Sequence, residues 1–69
     1  MAGSADQKLA LDAVDAAFES AVDHIFDFLR LNLSDNQSEA QSIARFEAAL
    51  RHAKRARELA IASVTKIIP

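Results

Sequence analysis

The stretch Ser34-Asp35-Asn36-Gln37-Ser38 is a compact polar break between two long segments with helical spacing. Side chains of serine, asparagine and aspartate hydrogen-bond to nearby backbone groups and therefore compete with helix formation. Ser38 and Gln41 have the spacing of a capping box, and Ser34 and Gln37 have it too, so two starting points remain open for the second segment. A link this short makes two helices antiparallel neighbours. The break therefore predicts a helical hairpin.

Apolar residues on both sides of the break recur every three or four positions, which is typical of amphipathic helices. The stripe before the break contains Leu11, Val14, Phe18, Val22, Ile25, Leu29 and Leu33. The stripe after it contains Ile43, Phe46, Leu50, Ala53, Ala60, Ile61, Val64 and Ile68. A further capping box, Ser4 to Gln7, precedes the first stripe. The pattern predicts one domain, with helices at about residues 5–32 and 39–66 and a turn at about 33–38.

The composition predicts an all-α protein that is too small to be stable alone. The chain has 69 residues and no cysteine, and its one glycine and one proline lie near its two ends. Chains this short usually need a disulfide, a structural metal or oligomerisation. Without cysteine there is no disulfide, and two histidines do not provide the four ligands of a usual zinc site. We therefore expect the hairpin to self-associate into an antiparallel four-helix bundle or a higher helical oligomer.

The width of the first apolar stripe also favours self-association. Phe26 and Phe28 lie on opposite sides of that stripe, so its apolar arc is wider than one partner helix covers. We expect the oligomer interface to be formed by large apolar side chains of both helices, with a second copy of the chain as the partner. The predicted interface residues are Phe18, Val22, Ile25, Phe26, Phe28, Leu29, Phe46, Leu50, Ile61 and Val64.

The formal net charge of −2 hides an acidic first half and a basic second half. Through Leu33 the net charge is −4, and from Ser34 onward it is +2. In a hairpin that turns near residue 36, residues whose numbers add up to about 72 lie at the same level. This arithmetic predicts three pairs between the helices: Asp15 with Arg57, Glu19 with Lys54, and Asp27 with Arg45. Exposed pairs contribute only about 0–1 kcal/mol each, so they would mainly fix the antiparallel register.

A basic run, residues 51–57, interrupts the second apolar stripe, and Arg57 lies between Leu50 and Val64 on that stripe. A buried guanidinium without a partner is very costly. Arg57 could pair with a carboxylate such as Asp15, extend its charged end to solvent while its stem packs, or line a polar gap between subunits. In the third case the cations would form a pocket for an anion. The candidate residues for binding an anion or a partner are Arg51, Lys54, Arg55 and Arg57.

Catalytic and metal-binding patterns are not found in the sequence. His24 and His52 lack the Glu-x-x-His spacing of di-iron bundles, and no glycine-rich loop is available to hold a phosphate. Net acidity and the lack of tyrosine and tryptophan disfavour binding to nucleic acid. No signal peptide or membrane-spanning run is seen. We therefore expect no enzyme activity, no cofactor, no membrane association and a cytoplasmic location.

The stretch Ala44-Arg45-Phe46-Glu47-Ala48-Ala49-Leu50-Arg51-His52-Ala53 resembles the second-helix pattern of a family of small phage proteins. These are the anti-CBASS sponges, which sequester cyclic oligonucleotide signals. The layout of an acidic first helix, a short turn and a second helix is similar as well. The family favours tryptophan where His52 stands and asparagine where Lys54 stands, and it has a proline near the turn, where this chain has Ser34. The resemblance implies a hexameric helical assembly that binds cyclic nucleotides between subunits.

Two functions are expected from these observations. The first is a small, non-enzymatic helical interaction or regulatory protein that acts as an oligomer through its helical surface. The alternative is an oligomeric sponge or sensor for a small phosphorylated ligand, such as a cyclic oligonucleotide, because a cluster of cations suits phosphate.

Overall fold

The chain forms a hairpin of two long helices in the computed structural model, which describes the backbone of residues 2–68 and the side chains of residues 5–68. Helix α1 spans Ala2–Ser34 and helix α2 spans Glu39–Ile67, and residues 2–68 contain no strand. The predicted all-α helical hairpin is confirmed. Helix α1 begins three residues earlier and ends two residues later than the spacing predicts, and α2 ends one residue later.

The end of α1 has the geometry of a Schellman motif, which reverses the chain. The N–H of Gln37 donates to the carbonyl of Asn32 at 3.0 Å, which is the 6→1 bond of this motif, and the N–H of Asp35 makes the preceding α-helical bond to the carbonyl of Leu31, also at 3.0 Å. Between them Asn36 has a φ of 60°, in the left-handed region that asparagine tolerates better than most residues. These bonds satisfy carbonyl groups that the end of a helix leaves without partners.

The start of α2 is fixed by Ser38. Its hydroxyl accepts a hydrogen bond from the N–H of Gln41 at 3.4 Å, as an N-cap residue does. The competing start at Ser34 is wrong, because Ser34 is the last residue of α1 and its hydroxyl donates to the carbonyl of Leu31. The turn is therefore shorter than the polar break suggests.

The start of α1 differs from the prediction. The helix already includes Ala2, so Ser4 is inside the helix and is not its N-cap, and the Ser4 side chain lies outside the described residues. Gln7 has a different role. Its side-chain amide donates to the carbonyl of Ile68 at 2.8 Å. This bond links α1 to the end of α2 at the open end of the hairpin.

The two helices pack side by side along their length and form an elongated body without a buried core. Its dimensions are 54 × 15 × 9 Å, and its radius of gyration is 15.9 Å, against roughly 11 Å for a compact chain of this length. Among residues 5–68 no hydrophobic side chain is buried, and Ser42 is the only buried residue. The accessible surface of 5282 Å² exceeds the value of about 4,200 Å² for a compact protein of this mass.

Candidate functional site

Arg57 and Asp15 form the ion pair that joins the two helices near the middle of the hairpin. The Nε and Nη2 atoms of Arg57 each lie 3.0 Å from Oδ1 of Asp15. The guanidinium carbon lies 5.5 Å from the centre of the Phe18 ring, within the range of a cation–π contact. The predicted pairing of Arg57 with Asp15 is confirmed. The Arg57 side chain remains 39% exposed, so it is partly hydrated and does not form a buried charge.

The other two predicted pairs between the helices do not form among the described side chains. Asp27 instead pairs with Arg30 at 3.7 Å, three residues further along its own helix. That partner lies on the same helix surface one turn away, whereas Arg45 belongs to the other helix. Glu19 and Lys54 are both exposed and form no ion pair, because an exposed pair gains little over hydration.

The four candidate anion-binding cations do not form one cluster. Arg57 is held by Asp15, and Arg55 is held by Glu58 at 3.2 Å. Arg51 and Lys54 share a shallow depression of about 200 Å³ with Leu50 and Glu47. The structure therefore brings two of the four cations together, with a carboxylate beside them.

A long apolar groove runs along one side of the hairpin between the two helices. Its middle part, about 220 Å³, is lined by Val14, Ala17, Phe18, Ala21, Ala53, Ala56, Arg57 and Ala60. The part nearer the turn, about 210 Å³, is lined by Ile25, Phe28, Leu29, Asn32, Ser42, Arg45, Phe46 and Ala49. Residues seven apart lie on nearly the same side of a helix, and both Ala21 with Phe28 and Ala49 with Ala56 have this spacing. The two parts are therefore one surface, which we call the alanine groove.

Ser42 lies in the part of the alanine groove nearer the turn. Its side chain is 0% exposed, and its hydroxyl has no hydrogen-bond partner among the described residues. Buried hydroxyl groups nearly always have a partner. Ser42 is therefore an exception to this rule, and it lies beneath the floor of a groove that is otherwise mainly apolar.

The predicted interface residues fall into two groups. Phe26 and Phe28 are 55% and 66% exposed, and Phe28 lines the alanine groove whereas Phe26 does not. The remaining eight are half-buried: Phe18, Val22, Ile25, Leu29, Phe46, Leu50, Ile61 and Val64. The sequence pattern placed Ala53 and Ala60 on the second apolar stripe. It did not include the other alanines that line the groove, because the stripes were defined mainly by large apolar side chains; these are Ala17, Ala21, Ala49 and Ala56. The signal that could have revealed them is the recurrence of Ser42, Ala49 and Ala56 at intervals of seven.

Other features of the described chain add no further site. No three side chains among His, Asp and Glu of residues 5–68 come together in a way that could hold a metal ion. The Nδ1 atom of His24 donates to the carbonyl of Ser20 at 2.7 Å on an exposed surface. In the described part of the chain, neither helix has an apolar stretch of the length needed to cross a membrane.

The fold and the site together define an all-α helical hairpin with an ion pair between its helices and an open apolar groove on one side. No protein-family model, curated protein or solved structure matches the chain.

Proposed function

We propose that the chain is a non-enzymatic helical interaction protein that acts as a homo-oligomer through its helical surface. The observation that carries this proposal is the absence of any buried hydrophobic side chain among residues 5–68. Full burial of a leucine or phenylalanine stabilises a protein by about 1.5–3 kcal/mol. The hairpin alone obtains only part of this stabilisation, and association with another helical surface supplies the rest.

The chemistry of the concave surfaces supports a binding role. The alanine groove is lined mainly by alanine, phenylalanine and aliphatic side chains. Apolar concavities and exposed apolar patches are typical of surfaces that bind other apolar surfaces. The charged side chains, in contrast, are mostly exposed along the helices. There they are hydrated and help to fix the register of the two helices, and they do not form a catalytic cluster.

The alternative function, an oligomeric sponge or sensor for a small phosphorylated ligand, has narrower support. Arg51 and Lys54 share one depression, and two cations on one surface suit a phosphate. Glu47 lines the same depression, and its carboxylate would repel the ligand. Arg55 and Arg57 would have to leave the carboxylates that they contact. We therefore place the interaction protein first.

Thermal unfolding at several protein concentrations tests the proposed function. An assembly that exists only in the folded state is stabilised by mass action, so its Tm rises with protein concentration. We expect the helical circular-dichroism signal to melt at a clearly higher temperature when the concentration is raised about a hundredfold. A cooperative transition whose Tm does not depend on concentration would show that the hairpin is stable alone, and the proposal would be wrong.

A further inference from the structure

We propose that the alanine groove is occupied by a second copy of this chain, packed face to face, so that α1 of each copy lies over α2 of the other. Both turns would then lie at the same end of a four-helix bundle. This inference rests on the proposed function and deepens it, because it states which face of the hairpin associates and in which orientation.

The shape of the groove suits another pair of helices. Small side chains at the contact allow two helices to approach closely, and Ala17, Ala21, Ala56 and Ala60 line the middle of the groove. Phe28 stands at the part nearer the turn and is 66% exposed in the single hairpin. The groove is therefore a shallow apolar channel in which Phe28 is the one large hydrophobic side chain that remains mostly exposed in a single hairpin.

The surface area available matches the requirement of a stable dimer. A compact body of twice the chain's mass exposes about 7,000 Å². Two separate hairpins of 5282 Å² each expose more than this by roughly 3,500 Å². Obligate homodimers bury about 2,000–5,000 Å² in total, so one closed two-copy assembly can hide the excess surface.

Charge selects the orientation of the second copy. Two flat hairpins related by a two-fold axis can pack face to face in two ways, with α1 over the partner's α2 or with α1 over the partner's α1. Helix α1 has a net charge of −4 and α2 has +3, counted over their printed ranges. The first arrangement places opposite charges together and sets Arg45, at the edge of the groove, against the acidic helix. The second arrangement places like charges together, so we favour the first.

Two phenylalanines provide a matched test of whether the alanine groove is the face that associates. Phe28 lines the groove and Phe26 does not, although both are exposed in the single hairpin, so either change to glutamine leaves the hairpin itself intact. We expect Phe28→Gln to raise the dimer Kd about tenfold or more in sedimentation equilibrium, because it removes apolar area from the interface. Phe26→Gln should change the Kd by less than about threefold.

Alanine residues provide a second matched pair. Ala56 lines the groove, whereas Ala62 does not, and both are exposed. Ala56→Glu should dissociate the dimer and Ala62→Glu should not. The control variant, Ala62→Glu, should keep the helicity of the wild-type chain at high protein concentration. If Phe26→Gln and Ala62→Glu weaken association and their groove counterparts do not, or if all four act alike, the groove is not the interface. In those cases the chain still oligomerises and the proposed function stands, whereas a monomeric wild-type chain would contradict the proposed function itself.

The absence of cysteine allows a direct test of orientation. Ala17 and Ala56 lie at the same level of the hairpin, so the proposed packing places Ala17 of one copy near Ala56 of the other. Under mild oxidation, a mixture of Ala17→Cys and Ala56→Cys chains should form mainly the mixed disulfide, which requires Cα atoms within about 7 Å. Efficient cross-linking of Ala17→Cys with itself would show that α1 lies over α1, and the proposed orientation would be wrong.

Discussion

Arg57 reaches across the hairpin to Asp15, forty-two residues away in sequence, and both its Nε and its Nη2 lie 3.0 Å from the same carboxylate oxygen. The contact explains how a cation can stand on an apolar stripe. Its guanidinium group lies over the Phe18 ring and beside the Asp15 carboxylate, and the side chain remains partly exposed. The pair therefore contributes chiefly to register, by matching the levels of the two helices.

A double-mutant cycle measures this contact. Asp15→Asn and Arg57→Gln, singly and together, should give a coupling free energy of about 0.2–1 kcal/mol in urea unfolding at one fixed protein concentration. The value is small because the two side chains are 54% and 39% exposed, respectively. The coupling should decrease in high salt, as expected for screened charges. A coupling of zero in low salt would mean that the two side chains do not interact in solution.

The hydroxyl of Ser38, which caps α2, should contribute more to the free energy of unfolding than the hydroxyl of Ser34. Ser38→Ala removes the hydroxyl that accepts from the N–H of Gln41, so we expect a loss of about 1 kcal/mol in the free energy of unfolding. Ser34→Ala is the matched control, because the Ser34 hydroxyl donates to a carbonyl within the last turn of α1 and caps no N–H group. Equal losses for the two variants would contradict the assignment of Ser38 as the N-cap.

The left-handed backbone of Asn36 gives a further expectation. Asn36→Ala should lower the free energy of unfolding by about 1 kcal/mol, because a Cβ without a compensating polar group is unfavourable at positive φ. Asn36→Gly should be neutral or slightly stabilising, since glycine adopts this conformation without steric cost. Chemical denaturation of both variants tests the turn, and a more stable alanine variant would contradict the Schellman geometry.

The ligand hypothesis has its own test. A ligand present at 100 times its Kd would stabilise the folded protein by about 2.7 kcal/mol. We expect cyclic dinucleotides and cyclic oligonucleotides to leave the Tm unchanged, because the described cations are partly engaged and Glu47 shares the depression of Arg51 and Lys54. A clear upward shift that is lost in an Arg51→Gln, Lys54→Gln variant would instead favour the sponge.

The hairpin itself was predictable, because its signals are local. Ser38 carries a capping pattern, Asp35 and Asn36 favour a turn, and both apolar stripes have helical spacing. Level matching also found the Asp15–Arg57 pair, since both residues lie close to the line where the helices meet. Level matching was wrong for Asp27 and Arg45, because two residues at the same level can still project in different directions. Asp27 pairs instead with Arg30 on its own helix.

The alanine groove was harder to predict. Alanine is a common helix former, so its presence at Ala17 or Ala56 carries little information until the neighbouring helix is placed. The burial of Ser42 depends in the same way on how the second helix packs, and serine is usually exposed. Both features depend on the direction in which each side chain projects from its helix axis. Level matching uses only the position of a residue along the axis, so it does not contain this information.

Self-association is the central claim, and sedimentation equilibrium of the wild-type chain at micromolar concentration tests it most directly. The account predicts a mass of twice the 7.5 kDa of one chain, or a higher whole multiple, with dissociation accompanied by loss of helix on dilution. A species of 7.5 kDa that remains fully helical at all concentrations would contradict the account.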